Sequence, residues 1–365
     1  MLGQGPWGPS RALGKDFWPR LQVKTSGMGM PREEIMKYRI AAFAGAAVLS
    51  MSLNAAAQEM TLKASHQFPG GKGDARDEMV QILAKEIEAA NVGLKVQVFP
   101  GQSLYKAKEQ WGALTKGQLD FSSFPLDYAS GRVPQFSATL MPGLVRNHDR
   151  AKRLNDSPFM DDIKALIEEN GAKVIADAWL GGAFASKHNC ITSPETIKGQ
   201  VTRAAGPAFE QMLVGAGASI ASMPSSEIYT GMQTGVLDAT NTSSGSFVSY
   251  RLYEQVKCLT APGENALWFM YEPLLVSMAT WDKLSDEQKA AVMAAGEKAE
   301  EYFDSQARGL DQKMVDTFKE AGVEIAEMSA EDYDKWLAIA KETSYKEFSS
   351  VEGGQALIDK ALAVE

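Results

Sequence analysis

Few residues in this 365-residue chain are equipped for covalent or metal chemistry. The three histidines, His66, His148 and His188, have none of the close pairings that zinc sites use, so no metal is expected. Gly70-Gly71-Lys72-Gly73 lacks the spacing of a phosphate cradle and does not directly follow a strand, which makes it a turn. No G-x-S-x-G elbow and no H-E-x-x-H pair occurs, and no cofactor motif is present. Asp120 and Asp127 could be imagined as a carboxylate pair, although acids flanking strand ends are usually solvated or cap a helix. The balance favours binding over catalysis. Arg203 closes a β-like stretch, and a planar guanidinium there can grip a carboxylate through two parallel charge-assisted hydrogen bonds. Taken alone, an arginine at a strand end reads equally as a surface or structural ion-pair residue.

The elements that must position such a group alternate along the chain. Residues 60–65 read as a strand, and 74–90 as a helix with Met79, Val80, Ile82, Leu83 and Ile87 near helical spacing. Strands are expected at 94–99, 119–123, 173–178 and 201–204, and helices at 106–115 and 207–216. Strands separated by helices imply parallel-dominated sheets flanked by helices in an α/β fold. Residues 285–321 form a nearly unbroken helical pattern, opened by a capping box of Ser285 and Gln288 and closed by Gly322. Gly296 and Gly309 interrupt it and its apolar positions keep no heptad, so it reads as a helix spanning two lobes.

Composition sets the outer limits. With 45% hydrophobic and 23% charged residues the chain is ordinary globular protein, and its length suggests two lobes. A formal charge of −9 with no basic cluster excludes nucleic acid as a partner. Residues 36–57 start with Lys37 and Arg39, continue through small and apolar residues, and end on Ala55-Ala56-Ala57, as a cleaved secretory signal peptide does. Residues 1–35 fit no export signal and read as an upstream extension from a mis-assigned start codon. Export to an oxidising periplasm permits a disulfide, for which Cys190 and Cys258 are the candidates, each in a β-like stretch, 189–192 and 255–260; two buried free thiols are the alternative.

Residues 197–241 carry the most specific pattern. Lys198-Gly199 with Arg203, Pro224, Glu227 with Tyr229, and Gly235 with Asp238-Ala239 resemble the ligand-recognition core of the periplasmic receptors of TRAP transporters, the tripartite ATP-independent uptake systems. The likeness extends to residues 99–104, 117–120, 253–260 and 281–284 and to the long helix, covering essentially all of 58–365. It implies a two-lobe periplasmic binding protein of type II. Lobe I is expected at 58–182 and 268–307, and lobe II at 183–267 and 308–365. It further implies capture of a small organic carboxylate in an interlobe cleft and delivery to a small and a large membrane subunit.

The resemblance makes Arg203 the carboxylate anchor. Many relatives carry a second arginine on the preceding strand, where this chain has Trp179-Leu180-Gly181-Gly182-Ala183-Phe184-Ala185, which counts against a C4-dicarboxylate. Asn241 and Thr242 stand where relatives commonly have Glu and Asn, which weakens any inherited sodium site. His66, Phe68, Phe124, Trp179, Phe184 and Trp268 are the remaining candidates for the cleft, and Phe247 is a further aromatic near it. They point to a monocarboxylate with an aromatic or hydroxylated body. Asp74, Arg76 and Asp77 read as rim or helix-start charges. The rival reading is a secreted hydrolase or lyase acting on a small organic acid in the same cleft.

Overall fold

The alternation in Met60–Ser65 places Leu62 and Ala64 inward, and this strand, β1, sits within the first of two sheets in a computed structural model describing residues 59–364. The expected extension and signal peptide lie outside the described residues. The remaining strands are β2 (Leu94–Phe99), β3 (Phe121–Ser123), β4 (Ala172–Ala176), β5 (Trp179–Ser186), β6 (Val201–Ala204), β7 (Ser219–Ser222), β8 (Ala239–Ser243), β9 (Cys258–Ala261), β10 (Phe269–Tyr271), β11 (Leu274–Ser277) and β12 (Glu324–Glu327). The first sheet has the order β2-β1-β3-β11-β4. The second runs β12-β9-β5-β8-β6-β7, with β10 beside the start of β5.

Every antiparallel pairing among the described residues involves β5 or β11. These strands, with β10, carry the chain from one lobe to the other and back, so they enter sheets whose other neighbours are parallel. All eight residues of β5 are buried, because it is covered on both faces.

The long helix spans Asp286–Glu320 with the expected Ser285–Gln288 capping box. At 1.5 Å per residue its 35 residues extend about 50 Å. Val292, Ala299 and Phe303 pack under the first sheet, whereas Met314 and Phe318 pack under the second. Gly296, which breaks the apolar pattern, has a packing reason: a Cβ there would lie 2.1 Å from the Ile175 carbonyl oxygen, so only glycine lets the helix lie this close to β4.

The C-terminal segment departs from the expected division. Ala330–Ala340 packs on the Pro207–Gly215 helix of lobe II, but Gly354–Leu362 crosses to lobe I and packs on Pro158–Glu169. Leu357, Ile358 and Ala361 share a core with Phe159 and Ile163, and the Arg150 guanidinium holds the carbonyls of Ala361 and Val364. The helix follows its apolar face, which is complementary to lobe I.

Cys190, in the loop after β5, is disulfide-bonded to Cys258 at the start of β9, with Cα atoms 5.1 Å apart and a sequence separation of 68. The expected β-like stretch around Cys190 is loop instead. Replacing both cysteines by serine should lower stability by about 2–4 kcal/mol, since a long closed loop is released in the unfolded chain. Equal denaturation midpoints for oxidised wild type and the double variant would contradict this.

Candidate ligand site

Tyr128 is where the two lobes meet. It lies in the short turn Leu126–Ala129 of lobe I, and its hydroxyl accepts from Arg203 Nη2 at 3.0 Å and from the Ser225 amide at 2.9 Å. Gln67 Nε2 approaches the same oxygen at 3.4 Å. Tyr250, from lobe II, donates to the Gln67 carbonyl at 2.9 Å. Phe124 meets the Tyr128 ring edge-on at 6.1 Å and so buttresses it.

Arg203 is held by strand pairing. Its β6 backbone pairs with β7 and β8, bringing the side chain beside Asn241 on β8. The contact is reciprocal: Arg203 Nη1 donates to the Asn241 carbonyl at 2.9 Å, and Asn241 Nδ2 donates to the Arg203 carbonyl at 2.7 Å. Arg203 Nε donates to the Met223 carbonyl at 2.9 Å. These three acceptors are neutral, and no carboxylate among the described residues lies within 4.0 Å of the guanidinium, although it is 1% exposed. With three of five N–H groups used, one remains on each terminal nitrogen.

Arg76 corrects the expectation of a rim charge. It follows the N-cap Asp74 of the helix Ala75–Ala89 and is 1% exposed. Asp74 grips it at two points, 2.9 and 2.7 Å, and Glu272 contacts Nη1 at 3.1 Å. Ser243 and Ser246 of lobe II complete the shell at 3.0 Å each. The guanidinium also lies 3.7 Å over the Phe68 ring. Burial would raise the Asp74 carboxyl, but Arg76 outweighs it and holds Asp74 below its ordinary range. Glu272 stays raised, since burial exceeds the pull of Arg76. Arg76 is thus a buried strut between lobes, already occupied by two acids.

The other expected residues divide. His66 is buried 3.1 Å from Asp77 Oδ1, and its ring stacks on Phe68 at 5.7 Å. Burial pushes Asp77 up, but bonds from His66, the Gly71 amide and Gln81 prevail and lower it. Thr242 is buried in β8 opposite Ala183, and Trp268 is buried with no protein partner for its Nε1. Trp179 does not join them: its Nε1 donates to Asn155 at 2.8 Å and its ring packs on Tyr271. Phe184 is likewise core, stacked on Trp336 at 5.5 Å, and Phe247 packs edge-on against Phe318. Strand β5, covered on both faces, sends both Trp179 and Phe184 into packing layers. Asp120 and Asp127 form no pair, because Asp120 accepts from the Lys63 amide and Thr280.

Unpartnered buried atoms mark what the protein itself does not satisfy. Gln67 Oε1, Asp127 Oδ2, Asn241 Oδ1 and Trp268 Nε1 have no protein hydrogen-bond partner among the described residues. Such groups are costly unless something completes them. Tyr128 and Gln67 escaped the sequence reading, and Asp127 entered it only as an imagined partner of Asp120, since isolated polar residues outside regular elements carry no periodic signal.

Comparison with known proteins matches this architecture. Residues 71–350 match the profile described as bacterial extracellular solute-binding protein, family 7. A solute-binding protein of Albidiferax ferrireducens is 38% identical over 304 residues, covering 82% of this chain and 90% of the relative. The 2,3-diketo-L-gulonate-binding periplasmic protein of Escherichia coli is 29% identical over 241 residues, 64% of this chain and 70% of its own. A crystal structure of a TRAP periplasmic solute binding protein from Rhodoferax ferrireducens with bound malonate superposes with a TM-score of 0.80. It is 37% identical and covers 83% of this chain and 98% of that one. The chain belongs to family 7 of the bacterial extracellular solute-binding proteins, and with them to the solute receptors of TRAP transporters, not to the enzymes.

Proposed function

We propose that this receptor, exported by cleavage of residues 36–57, holds a small hydroxylated monocarboxylate on Arg203 and delivers it to a small and a large TRAP membrane subunit. The observation that carries this reading is the buried Arg203 guanidinium, which has only neutral protein partners and one unused N–H on each terminal nitrogen. Arg76 offers no second open cation, because Asp74 and Glu272 already hold it. One carboxylate is therefore favoured over two, even though a relative's structure contains malonate. Gln67 Oε1 and Asn241 Oδ1 are buried acceptors that ligand hydroxyls would complete. An aromatic body is less well served, with Trp179 and Phe184 committed to the core.

A thermal-shift panel tests the reading with malonate, D-gluconate, L-lactate, phenylacetate and neutral glucose. The hydroxylated monocarboxylates should stabilise most, by about 2.7 kcal/mol at a hundredfold excess over Kd. Equal stabilisation by glucose would overturn the carboxylate reading, and strongest stabilisation by phenylacetate would overturn the preference for hydroxyls.

A further inference from the structure

We infer that Asp127 is a second ligand group in the cleft, and that the receptor takes up a proton at this carboxyl when it binds its anion. The inference rests on the carboxylate reading of Arg203. Asp127 directly precedes Tyr128, the residue that joins Arg203 across the lobes, and is 2% exposed. Its Oδ1 accepts from the Ser130 hydroxyl at 2.9 Å, whereas Oδ2 has no partner. The side chain is pressed onto Gly206, three residues after Arg203, where a Cβ would lie 1.8 Å from Oδ2. Gly206 precedes the helix Pro207–Gly215, whose first residue, proline, has no N–H to offer.

The charges facing Asp127 are few. Arg203 on β6 and Lys108 on the turn Ala107–Glu109 attract its anion, and Glu210 on the Pro207–Gly215 helix repels it. Arg203 is the buried cation of this group, and one buried cation balances one carboxylate. When a ligand anion takes Arg203, an ionised Asp127 is left without a counter-charge, in a place water does not reach. Protonation relieves this, and the resulting O–H can donate to a ligand oxygen. The adjustment is small, because burial, reinforced by Glu210, has already raised the carboxyl to about 7.

The sign follows from linkage. A ligand anion raises the carboxyl further, so above about pH 7 binding takes up a proton and affinity falls with rising pH, by up to about tenfold per unit. Well below pH 7 the proton is already bound and affinity is flat. In the ligand-free protein the folded state keeps this proton to about 7, while the unfolded chain releases it near an ordinary aspartate value of about 3.9. Stability therefore declines as pH rises between those values, a loss that Asp127→Asn does not share.

Calorimetry with malonate, D-gluconate and D-galacturonate, at about pH 6 and pH 8.5 in buffers of differing ionisation enthalpy, decides the matter. Expected for wild type is at least roughly tenfold weaker binding at the higher pH, with proton uptake approaching one per ligand. Asp127→Asn should bind equally at both pH values, without proton uptake, and should melt above wild type at the higher pH when ligand-free. A wild-type affinity indifferent to pH, an unchanged pH slope in Asp127→Asn, or no gain in its melting temperature would overturn the role of Asp127 alone. Failure of all three carboxylates to bind at either pH would instead remove the carboxylate reading of Arg203, and this inference with it.

Discussion

Arg203→Ala should bind carboxylates about thirtyfold to several thousandfold more weakly than wild type, a loss of about 2 to 5 kcal/mol. The size of the effect comes from burial. Arg203 is 1% exposed, so a ligand carboxylate brought to it loses its water and gains two charge-assisted bonds. Without the guanidinium, that anion stays desolvated and unpaired. Arg203→Lys should also bind poorly, because an ammonium cannot keep the Met223, Asn241 and Tyr128 contacts while presenting a planar two-point face. The protein bonds lost are to neutral groups, so the fold should persist, as circular dichroism can verify. Affinity within about threefold of wild type in a folded Arg203→Ala protein would refute the anchor.

The largest effect on stability should come from Arg76. Removing one partner of a buried ion pair typically costs about 3–5 kcal/mol, because the other charge is left unpaired. Arg76→Met strands two acids, Asp74 and Glu272, and empties the link to Ser243 and Ser246 across the lobes. A drop in melting temperature of roughly 6–15 °C is expected near pH 7. The deficit should shrink as the pH falls toward 4. Down to that pH the change comes from the variant, whose stranded acids take up protons and no longer need the missing cation; the lowered Asp74 carboxyl of wild type loses its own stabilising contribution only below the ordinary aspartate range. A melting temperature within about one degree of wild type near pH 7 would show that Arg76 is not the strut described.

The contrast between the two arginines shows what the sequence could convey. Helical spacing located Ala75–Ala89, the capping box located the start of Asp286–Glu320, and alternation located β2. Arg203 stood out because it sits within a dense local motif. Arg76 was not, since its burial depends on Ser243, Ser246 and Glu272, some 170 to 200 residues away, and in sequence it is one more charge in a first helical turn. Trp179 and Phe184 misled for a related reason. A strand buried along its whole length has no polar alternation to show which face meets the cleft and which meets Tyr271 or Trp336. Tyr128 and Asp127 gain their meaning only when the lobes come together.

The most direct test of the central claim is a crystal structure of the receptor with a carboxylate bound. The expected result is two ligand oxygens about 2.7–2.9 Å from the terminal nitrogens of Arg203, with Asp127 beside them and Asp74 still gripping Arg76. A carboxylate seated on Arg76 with Asp74 displaced, or bound outside the cleft while Arg203 keeps only its present neutral partners, would contradict it.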